Sequence, residues 1–327
     1  MTPQMSETVD MPARTAAGGG REVRARLAAA ALGLLLLLAP LVLGSYWTYL
    51  LTLTGVFTLV ALGLNLLTGY CGQISLGHAA FFGVGAYATG LLTEKAGVPF
   101  ILSLLLGALF TTGLGAIAAL PALRLRSLYL AIATLGFGVV LQKVLFEWRG
   151  LTGGGGGLQL APLRVWGVAV SGAGLFYLVL ALAGFGAWGA WNVSRGRTGR
   201  ALLMLRSSEI AAGSLGISSA RYKVVAFGLS AFYTAVAGGL FAYLVGYINP
   251  ESFNVGLSIA FLSMVVIGGL GTIPGSIVGA LFYVLVPELL RGFKDAPGLV
   301  FGLCLVLVMV FLPEGLWGLL RRLGRRA

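Results

Sequence analysis

Residues 192–223 read NVSRGRTGRALLMLRSSEIAAGSLGISSARYK and form a long polar stretch with apolar runs on both sides. Six cations lie in it: Arg195, Arg197, Arg200, Arg206, Arg221 and Lys223. We call residues 192–223 the central loop. A basic loop of mixed polarity between membrane segments predicts an ordered cytoplasmic surface on which another protein can dock.

The composition around this loop is that of a membrane protein. Hydrophobic residues make up 58% of the chain, charged residues 10%, and the mean hydropathy is +0.96. The apolar residues come in runs close to the ~20 needed to cross a bilayer as a helix. We therefore predict an all-α, polytopic bundle of membrane helices. The cations that give the net charge of +12 flank these runs. Their placement indicates how the helices are oriented in the membrane and points to no nucleic-acid partner.

Ten apolar segments can be delimited along the chain. They are residues 27–44, 47–68, 74–92, 100–122, 128–146, 167–191, 224–248, 255–270, 275–290 and 299–320. Those at 74–92, 255–270 and 275–290 are short or rich in glycine. We expect them to be broken or partly re-entrant, an arrangement tolerated where the protein shields the backbone from lipid.

The distribution of cations sets the expected orientation. With the N-terminus inside, 16 of the 22 Lys and Arg residues fall in cytoplasmic segments and five in external loops. The remaining one, Lys143, lies late in the fifth segment, where it is expected to reach the external surface as an interfacial anchor. This asymmetry predicts about ten spans with both termini in the cytoplasm.

The two ends of the chain lie outside the predicted membrane domain of residues 27–320. Residues 1–26 are small, polar and basic, which predicts a disordered cytoplasmic tail, with a cleaved signal peptide as the alternative. Residues 321–327 predict a short basic cytoplasmic tail. Cys71 and Cys304 lie far apart in apolar surroundings, so neither a disulfide framework nor a metal site is indicated.

Several classes of function are disfavoured. None of the ten segments carries an Asp or Glu well inside it, whereas ion-coupled carriers usually need such a group at mid-membrane. The sequence has no Gly-x-x-x-x-Gly-Lys-Ser/Thr motif, and the glycines at 153–157 are not followed by lysine. We therefore expect no catalytic residues, metal or cofactor in this chain.

The middle of the central loop predicts a short helix. Ser207 is the expected N-cap, Glu209 falls in the first turn, and Gly213 or Gly216 can end the helix. Arg206 and Glu209 are spaced to pair. The exposed apolar surface of such a helix fits either docking to a protein or lying flat among lipid headgroups.

Two glycine-rich turns of the chain have similar sequences. Gly69-x-x-Gly72 and Gly268-x-x-Gly271 each separate two apolar runs, and both turns face the cytoplasm in this threading. Transporters often build their pathways from such broken segments, although chance similarity is the alternative. His78 follows the first turn, as a pathway or gating residue or as a histidine that satisfies a local backbone group. Gly271, Gly275 and Gly279 are spaced to form one close-packing helix face.

Several strings resemble the permease subunits of bacterial ABC importers for branched-chain amino acids, specifically the larger, M-type subunit. The matching strings span about residues 45–320 and lie at Leu67–Tyr87, Arg124–Gly138, Leu151–Gly154, Gly199–Leu202, Glu209–Ala212, Leu215–Ile217, Arg221–Lys223 and Gly246–Phe253. Ser207 and Ser208 depart from the acidic or amide residues that relatives often carry there.

The resemblance implies a multi-pass protein of the bacterial cytoplasmic (inner) membrane. Its partners would be a homologous second permease, two ATPase subunits that bind ATP, and a periplasmic or lipid-anchored binding protein. The implied ATPase coupling loop comprises Arg206, Ser207, Glu209, Ile210, Ala211, Ala212, Gly213 and Gly216. The candidate pathway residues are Gly69, Gly72, Gln73, Ser75, Gly77, His78, Gly271 and Gly275.

The resemblance leaves the substrate open, because related permeases also serve urea and short amides. A stand-alone carrier or channel and a membrane-embedded enzyme are the alternatives from other classes. The first would transport without an ATPase, and the second would need a nucleophile, base or metal cluster that the sequence does not provide.

Overall fold

The computed structural model describes residues 36–125, 127–165, 168–170, 172–290, 297–312 and 314–326. The chain divides at Gly44 into two units. In the first, residues 36–42 are helical. The predicted tail at 1–26 and its alternative, a cleaved signal peptide, lie outside the described residues. The second unit is Ser45–Ala327.

The second unit is built almost entirely of helices. They are α1 (Ser45–Leu64), α2 (His78–Glu94), α3 (Phe100–Ala118), α4 (Ser127–Glu147), α5 (Arg149–Thr152), α6 (Gly172–Arg195), α7 (Arg197–Ser207), α8 (Glu209–Ser214), α9 (Ser219–Val245), α10 (Val255–Gly268), α11 (Ile273–Leu289), α12 (Pro297–Phe311) and α13 (Gly315–Arg326). Short 3-10 turns lie at Pro121–Leu123, Gly154–Gly156 and Pro250–Ser252. Two small antiparallel pairs join β1 (Leu158–Gln159) to β4 (Tyr247–Ile248) and β2 (Arg164–Val165) to β3 (Val168–Ala169).

Five of the described helical segments are long and apolar enough to cross a membrane. They are Ser45–Tyr70, Phe100–Leu123, Tyr129–Glu147, Gly172–Arg195 and Ser219–Val245. The helices α10 and α11 are apolar but shorter. The prediction of an all-α helical membrane protein is thus confirmed in its coarse form.

The apolar run predicted at 299–320 is divided between two helices. The apolar α12 ends at Phe311, and α13 then begins at Gly315 and carries the arginines at 321, 322, 325 and 326. The predicted basic tail from residue 321 is thus largely the second half of this helix. The first half of this helix is mostly apolar, which explains why hydropathy alone merged it with the preceding run.

The core is organised around α9, which packs against α1, α2 and α3. Small residues make this close approach possible: a Cβ added at Gly238 would lie 2.0 Å from the carbonyl oxygen of Phe82. Around this contact, Phe82 packs against the rings of Phe253 and Phe261. The core therefore combines small residues on α9 with bulky aromatic side chains from α2 and α10.

Two interruptions divide helices inside the bundle. The first, which we call the first break, covers residues 71–77. It follows a π-helical turn at Asn65–Tyr70, which ends α1, and precedes α2. The second break covers residues 269–272, between α10 and α11. Both fall where glycine-rich turns were predicted, and the segments predicted to be short are indeed α2, α10 and α11.

Side-chain contacts sort the connections into two ends of the bundle. One end holds both breaks, the Pro121–Leu123 turn, α7 and α8, linked by the bonds described below. At the other end, Lys95 donates a hydrogen bond of 2.7 Å to the carbonyl of Leu151, and Tyr243 bonds to Glu94 at 3.1 Å. Lys143 lies near this second end, exposed and paired with Glu147 at 3.1 Å, as expected for an interfacial cation.

Candidate functional site

The central loop folds into two helices separated by one extended residue. Ser208 has φ −163° and ψ 118°, and its hydroxyl accepts a hydrogen bond of 3.2 Å from the amide of Ala211. Ser208 is therefore the N-cap of α8, and the prediction of Ser207 was wrong. Ser207 instead ends α7 and bonds back to the carbonyl of Leu203 at 3.0 Å.

The short helix α8 turns an apolar surface outward. Ile210 is 86% exposed and Leu215 67% exposed, whereas Ala212 is fully buried. Ala211 and Gly213 also lie on the outer side, and Gly216 follows the helix with φ +77°. The helix thus ends just before Gly216, the second of the two predicted glycines. A cleft of about 230 Å³ runs between α7 and α8 beside Ser207.

A buried cation anchors α8 to the bundle. Lys223 is only 3% exposed, and its ammonium lies 2.5 Å from a carboxylate oxygen of Glu209. The same ammonium donates a hydrogen bond of 2.9 Å to the carbonyl of Ala122, in the turn after α3. The predicted pairing of Arg206 with Glu209 was wrong, because the chain is extended at Ser208 and the two residues lie on separate helices.

Arg206 reaches the place where the two breaks meet. Its guanidinium donates a hydrogen bond to the carbonyl of Gly69, in the π-helical turn that precedes the first break. A Cβ added at Gly72 would lie 3.0 Å from its side chain, and one at Gly271 would lie 3.3 Å from its guanidinium. Arg206 therefore contacts both glycine-rich turns at once.

Asn65 joins the π-helical turn before the first break directly to the second break. Its side chain is fully buried, its Nδ2 donates to the carbonyl of Thr272 at 2.8 Å and to the hydroxyl of Ser276 at 2.9 Å, and its Oδ1 accepts from the amide of Gly271 at 2.8 Å. Asn65 is not among the residues predicted from the sequence. Its signal was an amide inside the apolar run 47–68, a type of residue that is costly within a membrane unless it serves a purpose.

The polar pathway candidates of the first break lie inside the protein. Gln73, Ser75 and His78 are all buried. His78 Nε2 lies 2.7 Å from the hydroxyl of Ser230, so its partner is a side chain of α9 and no local backbone group. Gln73 Oε1 and His78 Nδ1 have no hydrogen-bond partner within the described residues. Such buried acceptors are rare and mark places where a polar ligand or water fits.

The glycine candidates are brought together by packing. A Cβ at Gly69 would lie 2.4 Å from the amide nitrogen of Gly271, and one at Gly77 would lie 2.6 Å from the carbonyl of Thr134. Gly275 faces the carbonyl of Gly268 in α10. These residues therefore set close backbone contacts, and whether they also line a pathway stays a prediction.

A separate apolar cavity of about 770 Å³ lies between α2, α3 and α4. Its lining includes Val84, Leu91 and Phe110 and none of the candidate pathway residues.

At the start of the first break, burial raises the pKa of the Cys71 thiol to about 12, and this rise is partly offset by Lys223. This cysteine is therefore held as an unreactive thiol while the chain is folded.

Comparisons with known proteins agree on one group. Residues 46–313 match the family model described as branched-chain amino acid transport system / permease component. The chain is 34% identical to the high-affinity branched-chain amino acid transport system permease protein LivM of Escherichia coli (strain K12), over 86% of this chain and 74% of that protein. It is 33% identical to LivM of Salmonella typhimurium with the same coverage, and 26% identical to the permease protein LivH of Escherichia coli (strain K12) over 82% of this chain and 92% of LivH.

Proposed function

The chain belongs to the family of branched-chain amino acid transport permeases, and we propose that it is the M-type membrane subunit of an ATP-driven importer for branched-chain or related hydrophobic amino acids. The higher identity to LivM than to LivH supports the M-type assignment. The substrate assignment rests on the names of these relatives.

One observation carries the proposal for the mode of action. The outer surface of α8 is apolar and exposed at Ile210, while its inner side is fixed through Glu209 to the buried Lys223. A short helix that is rigidly held and exposes its apolar face fits the groove of a partner better than a mobile loop would. In this proposal α8 is the coupling helix, and the partner is an ATPase subunit that supplies the energy.

We propose ten spans with both termini in the cytoplasm of a bacterium, across its inner membrane. The grouping of both breaks with α7 and α8 at one end of the bundle supports this arrangement, because the charge distribution assigned all of them to the cytoplasm. The opposite end, which holds Glu94 and the β1–β4 pair, would face the binding protein.

The working complex would contain four kinds of subunit. This chain would pair with a homologous permease, two ATPases would bind at the cytoplasmic end, and a periplasmic or lipid-anchored binding protein would deliver the substrate. ATP would be bound by the ATPases alone. Closure of the ATPases would stabilise either the inward-facing or the outward-facing state of the permease pair. The difference in binding free energy between the two states would drive transport.

The pathway would run along the first break. Gln73, Ser75 and His78 place polar atoms among apolar helices, and two of these atoms, Gln73 Oε1 and His78 Nδ1, have no hydrogen-bond partner among the residues that the structure describes. A non-helical backbone that is buried in protein is the usual form of a transporter's substrate path. The wall opposite would come from the glycines of residues 268–279, which include the candidates Gly271 and Gly275.

The proposal is tested by reconstituting the whole complex in proteoliposomes. We expect ATP-dependent uptake of radiolabelled leucine that excess urea does not reduce. Leucine uptake without ATPase subunits would support a stand-alone carrier instead. Uptake of urea in place of leucine would retain the ABC arrangement and move the substrate to the urea and amide permeases.

A further inference from the structure

We propose that Arg206 and Asn65 transmit the movement of α8 to both breaks, so that they act as coupling residues between ATP hydrolysis and the substrate path. This inference rests on the proposed function and adds to it which contacts carry the movement. In this role Arg206, an exposed residue of α7, acts through the bond from its guanidinium to the carbonyl of Gly69.

Asn65 bonds the π-helical turn at the end of α1, just before the first break, to the second break. All three of its bonds reach residues more than 200 positions away, on the second break and the first turn of α11. A buried amide with its donors and its acceptor satisfied is costly to separate from its partners, because each lost bond leaves a polar group without water. A shift of the π-helical turn that leads into the first break is therefore passed on to the second break.

Arg206 bonds this π-helical turn to the central loop. Gly69, whose carbonyl accepts its guanidinium, lies one helical turn after Asn65. Carbonyl groups at the end of a helix have no later amide to bind, so an external donor is the natural partner. The bond is charge-assisted and partly buried, which makes it stronger than an ordinary hydrogen bond.

The connection to α8 is short. Arg206 lies in the last turn of α7, and only Ser207 separates it from Ser208, the N-cap of α8. A displacement of α8 therefore acts on Arg206 through two residues of chain. The other anchor of α8, the ion pair of Glu209 with Lys223, leads to α9 and to Ala122, and Lys223 lies close enough to Cys71 in the first break to act on its thiol electrostatically.

The glycines at the junction fit this role. A Cβ at Gly69 would lie 1.9 Å from Asn65 Oδ1 and 2.4 Å from the amide nitrogen of Gly271. Only glycine permits this spacing, at which the amide of Asn65 spans both turns. If the junction only had to pack, any apolar contact would suffice. This junction instead uses directional polar bonds.

The test measures transport and ATP hydrolysis together in the reconstituted complex. The variant is Arg206→Gln, and the matched control is Arg200→Gln. Arg200 lies on the same helix, and within the described part of the chain its guanidinium bonds to the carbonyl of Arg195. We expect Arg206→Gln to retain its ATPase subunits and their hydrolysis, while leucine transported per ATP falls by about tenfold or more. The control should match the wild-type ratio.

Two further variants separate coupling from folding. Arg206→Lys keeps a cation that can reach Gly69, so it should restore most of the ratio of transport to hydrolysis. Asn65→Leu should lower the ratio as Arg206→Gln does, and the double variant should be no worse than either single one, because both interrupt the same connection.

The outcomes distinguish the two proposals. If the wild-type complex shows no ATP-dependent uptake, the proposed function fails, and this inference fails with it. If the wild type transports and Arg206→Gln keeps the same ratio of transport to hydrolysis, only the coupling role is overturned. Loss of the ATPase subunits from Arg206→Gln would also overturn it, because Arg206 would then belong to the docking surface.

Discussion

Replacing Gly279 by alanine should destabilise the pair of helices that flanks the second break. A Cβ at Gly279, on α11, would lie 1.9 Å from the carbonyl oxygen of Met264 on α10. This is about 1.5 Å closer than an ordinary contact between carbon and oxygen. The obstacle is backbone on both sides, so no side chain can rotate away and the two helices must separate.

The magnitude follows from two opposing terms. Overpacking costs about 1–3 kcal/mol, and a contact between two backbones lies at the upper end of that range. Alanine is intrinsically better than glycine in a helix by about 1 kcal/mol, which offsets part of the cost. We therefore expect Gly279→Ala to lose about 2 kcal/mol of unfolding free energy, a fall in melting temperature of roughly 3–6 °C.

The buried Cys71 provides the assay. In a Cys304→Ser background, a thiol-reactive fluorophore should label the buried Cys71 only when the chain unfolds on heating. The matched control is Gly184→Ala on α6, where an added Cβ would meet no atom within 4 Å. The control should melt at or slightly above the parent temperature. If Gly279→Ala melts as high as the control, the close approach of α10 and α11 is refuted.

Three further predictions concern the central loop. Lys223→Met should lower the unfolding free energy by about 2–4 kcal/mol in the same assay, because the carbonyl of Ala122 stays buried without a donor. Glu209→Gln, at a half-exposed site, should lower the unfolding free energy by less than about 1 kcal/mol. Ser208→Ala should remove the helix cap at a cost of about 1 kcal/mol, seen as faster hydrogen exchange of the α8 amides; exchange at the parent rate would contradict it. Ile210→Glu should leave the melting temperature unchanged, since the residue is 86% exposed, but abolish co-purification of the ATPase subunits; retained binding would exclude α8 as the docking helix.

The helical class and the positions of both breaks could be predicted from sequence, because both are local properties. Long apolar runs form helices in a membrane, and glycine-rich turns interrupt them. Gly275 and Gly279 were correctly placed on a packing face. Gly271 was not, since it precedes α11 with φ +76°, and Gly268 of the facing helix takes its place in the contact.

The side-chain partners within the central loop could not be predicted. Spacing along one helix suggested that Arg206 and Glu209 pair, but the rule holds only where the helix is continuous. One extended residue, Ser208, separates them, and their partners are Gly69 and Lys223. Gly69 lies 137 positions from Arg206, beyond the reach of any local pattern.

This difference changes which substitutions test docking. Glu209→Lys would place a second cation beside the buried Lys223, so a loss of function would report on the folding of the loop as much as on its partner. Gly213→Arg is the cleaner variant, because an added Cβ there meets no atom within 4 Å. A bulky side chain at that position would obstruct a partner while the fold of α8 is retained.

The second break is held from two sides, and this arrangement determines what a push from α8 can do. On one side Asn65 bonds to Gly271 and Thr272. On the other, α13 packs so closely that a Cβ at Gly315 would lie 2.5 Å from Gly269 Cα. A hinge with free space around it would absorb a small displacement locally. A hinge held by the Asn65 side chain on one side and packed against the backbone of α13 on the other passes the displacement on, because close-packed contacts rearrange between discrete states and do not deform gradually.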